Sequence, residues 1–197
     1  QRDHARTLGY TVVDAPTAIA THLNSILYQA APELLGHDEA QQLLDKTAER
    51  SPKLIENLVP NKLSLASVTR VLQNLLRDGV PIRDMRTILE VLNEEGAKIQ
   101  DPDELTALVR PKLGRMIVQS LVDMTEEMPV MTLDPQLEQM LHNAVQQSHQ
   151  TKTLTIDPEL AENLFRSMRQ ESQKIEEEGK PAILVVSPAV RPWLANL

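Results

Sequence analysis

The sequence predicts an α+β fold, mostly helical, arranged as several small lobes with short strands and a helix-turn-helix-like central pair. Three observations carry that expectation. Residues 60–92 hold two apolar stripes at spacings of 0, 3, 4 and 7: Val68, Val71, Leu72, Leu75, then Met85, Ile88, Leu89, Leu92. Asp-Pro at 101, 134 and 157 supplies a capping carboxylate followed by a proline whose missing N–H costs nothing in a first turn. Short β-branched or aliphatic runs at 10–13, 130–133, 154–156 and 182–186 supply strands.

Taken in order, Tyr10-Thr11-Val12-Val13 reads as a strand, and Asp14 with Pro16 opens a helix. That helix carries Ile19, His22, Leu23, Ile26, Leu27 and Ala30 on one face, with His22 expected half-buried and hydrogen-bonded. Residues 31–37 read as a break, and Asp38 with Gln41 resembles a capping box. Leu43 and Leu44 are the apolar members of the short helix that follows, and Pro52 opens another that runs to about Val59. Ser64 caps the first helix of the central pair, Gly79 ends it, and Gly96 ends the second. Asp101, Pro102 and Glu104 start the next helix, where Pro111 predicts a kink or break near Leu108–Arg110 before helix resumes over 112–121.

Beyond residue 122, Val130-Met131-Thr132-Leu133 is a strand, and the helix from Asp134 aligns Leu137, Met140, Leu141, Ala144 and Val145. Residues 146–152 are polar and read as a loop, and Leu154-Thr155-Ile156 as a brief strand. The helix from Asp157 buries Leu160, Leu164, Phe165 and Met168 and ends at Gly179. Ala182-Ile183-Leu184-Val185-Val186 is continuous and apolar, as in a strand covered on both faces, and Ser187-Pro188 begins a last helix. The repeated Asp-Pro is shared capping chemistry rather than an internal repeat, because the spacings and flanks differ.

Composition excludes several function classes. Acidic residues outnumber basic ones, 28 to 20, for a net charge of −8, which gives no positive footprint for phosphates. Tyr10, Tyr28, Phe165 and Trp193 are the only aromatic residues, too few to stack bases. Without cysteine there is no disulfide framework or thiolate metal site. His4, His22, His37, His142 and His149 show no ligand spacing, so no metal is expected. There is no Gly-rich phosphate loop and no nucleophile elbow. Acid pairs such as Glu94-Glu95 and Glu176-Glu177-Glu178 read as caps or solvated faces. The expectation is a non-enzyme without cofactors. No run approaches the roughly 20 apolar residues that cross a bilayer, and no signal peptide is visible. The start at Gln1 and the stop at Leu197 read as an excised fragment.

The central pair also has a helix-turn-helix outline, which suggests a soluble adaptor or transcriptional regulator as the alternative. Against DNA reading, Lys62, Arg70, Arg77, Arg83 and Arg86 are interleaved with Asp78, Asp84 and Glu90.

The phrase Val80-Pro81-Ile82-Arg83-Asp84-Met85-Arg86-Thr87-Ile88-Leu89-Glu90 closely resembles the cytoplasmic domain of the flagellar and type III secretion export-gate family. Gly9-Tyr10-Thr11-Val12-Val13-Asp14, Ala20-Thr21-His22-Leu23-Asn24, Glu39-Ala40-Gln41-Gln42-Leu43-Leu44-Asp45, Asp103-Glu104-Leu105-Thr106 and Leu113-Gly114-Arg115 resemble it in the same order. The resemblance implies a membrane-spanning half outside this piece, at the cytoplasmic face of the bacterial inner membrane. It implies a homo-oligomeric ring, commonly a nonamer, that docks flagellar export chaperones with their substrates and meets other export-apparatus proteins, with no nucleic acid. It also implies subdomains: 1–59 (the end of a first and a helical second), 60–79 (a return helix to the first), 80–133 (a helical third) and 134–197 (a truncated α/β fourth). By position, Glu33, Leu35 and Ala66 are the implied chaperone- and substrate-binding residues. Leu35 stands where relatives carry an aromatic, and Ala66 where they can carry Thr. Leu35→Asp is expected to abolish docking and leave the fold intact. Arg83, Asp84, Arg86 and Glu90 are expected to be ring contacts or intramolecular salt bridges. Pro60, Gly79-Val80-Pro81 and Gly96 are expected to mark boundaries at which lobes move and open a groove.

Overall fold

A computed structural model of the protein describes residues 12–122, 127–151 and 157–195. They fall into two compact units, one within Gln1–Lys112 and one within Leu113–Leu197.

The first unit is helical. Helix α1 (Ala15–Leu34) begins at Asp14, whose carboxylate accepts the Thr17 amide at 2.9 Å, with Pro16 in the first turn. The break expected over 31–37 narrows to Leu35 and Gly36, because Pro32 falls in the last turn, where one lost hydrogen bond interrupts little. Its apolar face is not seated in a core: Ile19, Leu23, Ile26 and Leu27 are 46 to 67 % exposed, and His22 is exposed as well. Spacing decides which residues share a face, but burial needs a neighbour, and no described element covers this one. Of the expected strand at 10–13, Tyr10 and Thr11 lie outside the described residues, and Val12 and Val13 are not in a strand.

Helix α2 (His37–Ala48) starts earlier than the sequence suggests. Gly36 is the cap residue and Glu39 reaches back to accept its amide at 2.9 Å, so the cap works two residues before the expected Asp38–Gln41 pair. Helix α3 (Pro52–Leu58) follows, and α4 (Leu65–Arg77) opens on Ser64, which accepts the Ser67 amide at 3.0 Å. Gly79, at φ 69°, closes α4: its amide bonds Leu76 O and the Val80 amide bonds Leu75 O, which tucks Val80 into the core. Helix α5 (Met85–Glu95) is capped by Asp84, and α6 (Pro102–Lys112) by Asp101, which accepts the amides of Asp103 and Glu104.

Helix α4 packs on α1, α2 and α6, and α5 packs on α3 and α6. Leu44, Leu58, Val71, Leu72, Leu89, Leu92 and Leu105 form the aliphatic core between them. The expected break at Leu108–Arg110 is absent. Helix α6 passes through Pro111 and ends one residue later, so the proline acts as part of a terminus.

The second unit holds α7 (Gly114–Leu121), β1 (Val130–Thr132), α8 (Pro135–Thr151), α9 (Pro158–Glu177), β2 (Ile183–Val185) and α10 (Arg191–Ala195). Asp134 and Asp157 each accept two first-turn amides, so every Asp-Pro does what the sequence predicts. Helix α8 continues to Thr151 through the run expected to be a loop, which contains neither glycine nor proline to stop it. The strand expected at 154–156 lies outside the described residues. Strands β1 and β2 pair in parallel, Val130 with Ile183 and Thr132 with Val185, and the crossover between them carries α8 and α9. Leu133, Leu141, Leu164 and Val190 make the core. Phe165, expected inside, is exposed, as is Met140. Val185 is exposed too, so β2 is not covered on both faces.

Candidate docking and contact surfaces

Glu33 and Leu35 sit where α1 gives way to α2. Glu33 is exposed in the last turn. Leu35 is 8 % exposed, and its carbonyl accepts Gln73 Nε2 of α4 at 2.8 Å. Its neighbour Leu34 points the other way and is 61 % exposed. Leu34 is the last residue of α1, whereas Leu35 is the cap residue beyond it with a non-helical backbone (φ −85°, ψ 89°), so the chain leaves the helix between the two side chains. Ala66 is exposed in the first turn of α4, the helix against which α1 packs. Glu33 and Leu34 are thus exposed at the end of α1, Leu35 is buried beside Gln73 of α4, and Ala66 is exposed at the other end of that helix.

Asp84 is spent on capping: it accepts the Thr87 amide at 3.1 Å and the Thr87 hydroxyl at 2.7 Å. Arg86 Nε meets Glu90 Oε1 at 2.8 Å along the solvent face of α5, and Arg83 is exposed just before the helix. The hydrogen bond and the charge of Glu90 hold the Arg86 guanidinium above its ordinary range. Both partners of the pair are open to water, so it adds little to folding and leaves these charges available to other surfaces. The Asp14 carboxyl is held below its ordinary value, first by the Thr17 side chain and then by its amide.

Sequence reasoning missed a polar joint between α4 and α6. Asn74, nearly buried, donates to Asp103 Oδ1 at 2.7 Å and Thr106 Oγ1 at 3.3 Å, and accepts Arg77 Nη1 at 2.8 Å. Beside it Arg110 Nη1 meets Asp78 Oδ2 at 2.9 Å. The contacts of Asn74 with Asp103 and Thr106, and of Asp78 with Arg110, join residues about thirty apart, which no local pattern announces. Among the described residues no group of three or more His, Asp or Glu is placed to hold a metal, and no helix is long and apolar enough to cross a membrane.

The chain resembles proteins of known name along its whole length. It is 45 % identical over 195 residues to flagellar biosynthesis protein FlhA of Escherichia coli (strain K12), covering 99 % of this chain and 28 % of that protein. Its fold matches the Chlamydia pneumoniae CdsV and CdsO protein complex with a TM-score of 0.77 at 23 % identity, over 98 % of this chain and 56 % of that one. It also matches the nonameric EPEC SctV-C with a TM-score of 0.70 at 24 % identity, over 90 % and 53 %. The chain spans less than a third of the length of its FlhA relative. Residues 1–197 match the FHIPEP family throughout, and the chain belongs to that family.

Proposed function

We propose that this chain is part of the cytoplasmic domain of a flagellar type III protein export gate, a scaffold that docks proteins and breaks no bonds. The observation that carries the reading is the 45 % identity to FlhA across 99 % of the chain. In this reading the chain works at the cytoplasmic face of the inner membrane, outside the bilayer, with the membrane-spanning part elsewhere in the full protein. The structures it resembles include a two-protein complex and a nonamer, which supports a role in protein contacts and in a ring.

Docking follows the helix-in-groove mode, in which an amphipathic helix lays apolar anchors into a cleft between helices. Glu33 and Ala66, both exposed, edge the proposed surface; Leu35 supports it from beneath, and Leu34 offers the apolar anchor. The partner is a flagellar export chaperone carrying its substrate. The test is co-elution of the chain with such a purified complex. Ala66→Asp places a charge on this exposed turn and weakens co-elution, whereas unchanged co-elution sinks the groove assignment. Arg83, Asp84, Arg86 and Glu90 form the proposed ring-contact face. Charge reversal at Arg86 in the complete protein reduces the ringed fraction on sizing, and undiminished rings remove that role. The regulator alternative has no support from the relatives, and retention on a DNA column is the result that revives it.

A further inference from the structure

We infer that Lys62 and Asn93 form a latch that holds the connection between α3 and α4 shut, and so fixes the start of α4 on which Ala66 stands. Only the tie to Ala66 rests on the proposed docking surface; the latch itself does not. The connection, residues 59–64, carries the chain from the α2–α3 pair back into the core. Lys62 Nζ spans from there to the end of α5, donating to Asn93 O at 2.7 Å and to Asn93 Oδ1. The Asn93 side chain donates in turn to Leu54 O of α3 at 3.0 Å. Gln100 Nε2 completes the closure by donating to Lys62 O at 3.1 Å and to Gly96 O.

The chemistry suits a latch. The last carbonyls of α5 have no partner within the helix and carry its negative dipole end, so an ammonium satisfies and stabilises them. The site is part-buried, which limits competition from water and strengthens a charge-assisted bond. Nothing apolar replaces it: Pro60 and Asn61 are exposed, and the apolar seal lies to either side at Leu58 and Leu63. Asn93 uses both ends of its amide at once, so releasing Lys62 also loosens the grip on Leu54. Two of the expected moving boundaries, Pro60 and Gly96, are therefore pinned by this network; movement there requires Lys62 to let go.

The test is hydrogen exchange on the full chain without partner. Lys62→Met removes the ammonium and keeps most of the stem. The amides of Val59, Lys62 and Leu63, which bond to Ile55 O and Leu58 O, then exchange about tenfold faster or more. Those of Leu72 and Val109 in the core keep their rates. Lys98→Met is the control: it removes an exposed cation at the same helix end, outside the network, and leaves exchange at 59–63 unchanged. Wild-type exchange in Lys62→Met overturns the latch. So does equal acceleration in the core, which signals lost global stability, or acceleration in Lys98→Met, which signals a charge effect alone. None of these outcomes depends on chaperone binding.

Discussion

Leu34 and Leu35 offer a sharp experiment because one residue of sequence separates opposite environments. Leu35 is 8 % exposed against α4, and Leu34 is 61 % exposed. Truncating a buried leucine costs about 2–5 kcal/mol, from lost transfer energy and the cavity left behind. Leu35 lies at a helix end, where the chain can partly collapse, so Leu35→Ala should cost about 2–3 kcal/mol. Leu35→Asp puts a carboxylate in this buried position and should reach about 4 kcal/mol or more. The sequence-based expectation that Leu35→Asp spares the fold is therefore withdrawn. Leu34→Asp, on the solvent side, should stay within about 0.5 kcal/mol of the parent. Urea unfolding followed by circular dichroism measures all three. A loss under about 1 kcal/mol for Leu35→Ala with an unchanged m-value, or a Leu34→Asp as unstable as Leu35→Asp, refutes the assignment of inside and outside.

Three further outcomes follow from the geometry. A Cβ at Gly96 would stand 2.5 Å from Leu92 O and 2.8 Å from Leu63 Cγ, so Gly96→Ala should cost about 1–3 kcal/mol by urea melt, and a neutral result contradicts the close approach. Asn74→Ala removes two hydrogen bonds between α4 and α6 and one within α4 and should cost about 1–3 kcal/mol, also by urea melt; a loss below measurement error dismisses the joint. The Asp14 carboxyl is depressed in the folded state, so its stabilising effect is complete above the ordinary carboxylate range near 4 and fades as pH falls through the lower folded value. Exchange of the Thr17 amide, corrected for the intrinsic pH effect, should accelerate below about pH 4 in the parent and not in Asp14→Asn.

Local chemistry was legible in the sequence and long-range chemistry was not. Asp14, Ser64, Asp101, Asp134 and Asp157 cap where the sequence places caps, because a cap needs only a side chain and an amide two or three residues away. The apolar stripes of α4 and α5 are buried as their spacing predicts. The same spacing in α1 gives an exposed face, since a stripe does not say what lies opposite. The run 146–151 looked like a loop for its polarity, yet glutamine supports a helix and no breaker intervenes. For the candidate site, Glu33, Leu35 and Ala66 came from the resemblance by position; that Glu33 and Ala66 are exposed while Leu35 is buried depends on what the chain packs against, which spacing does not show. The Lys62–Asn93 latch and the Asn74 joint join distant segments by single side chains, which one sequence does not reveal.

The docking claim faces its most direct trial in calorimetric titration of the chain with a flagellar export chaperone–substrate complex, parent against Leu34→Asp. The account predicts saturable binding by the parent and at least tenfold weaker binding by Leu34→Asp at an unchanged urea midpoint, the equivalent of about 1.4 kcal/mol. Equal affinity in the two proteins contradicts it.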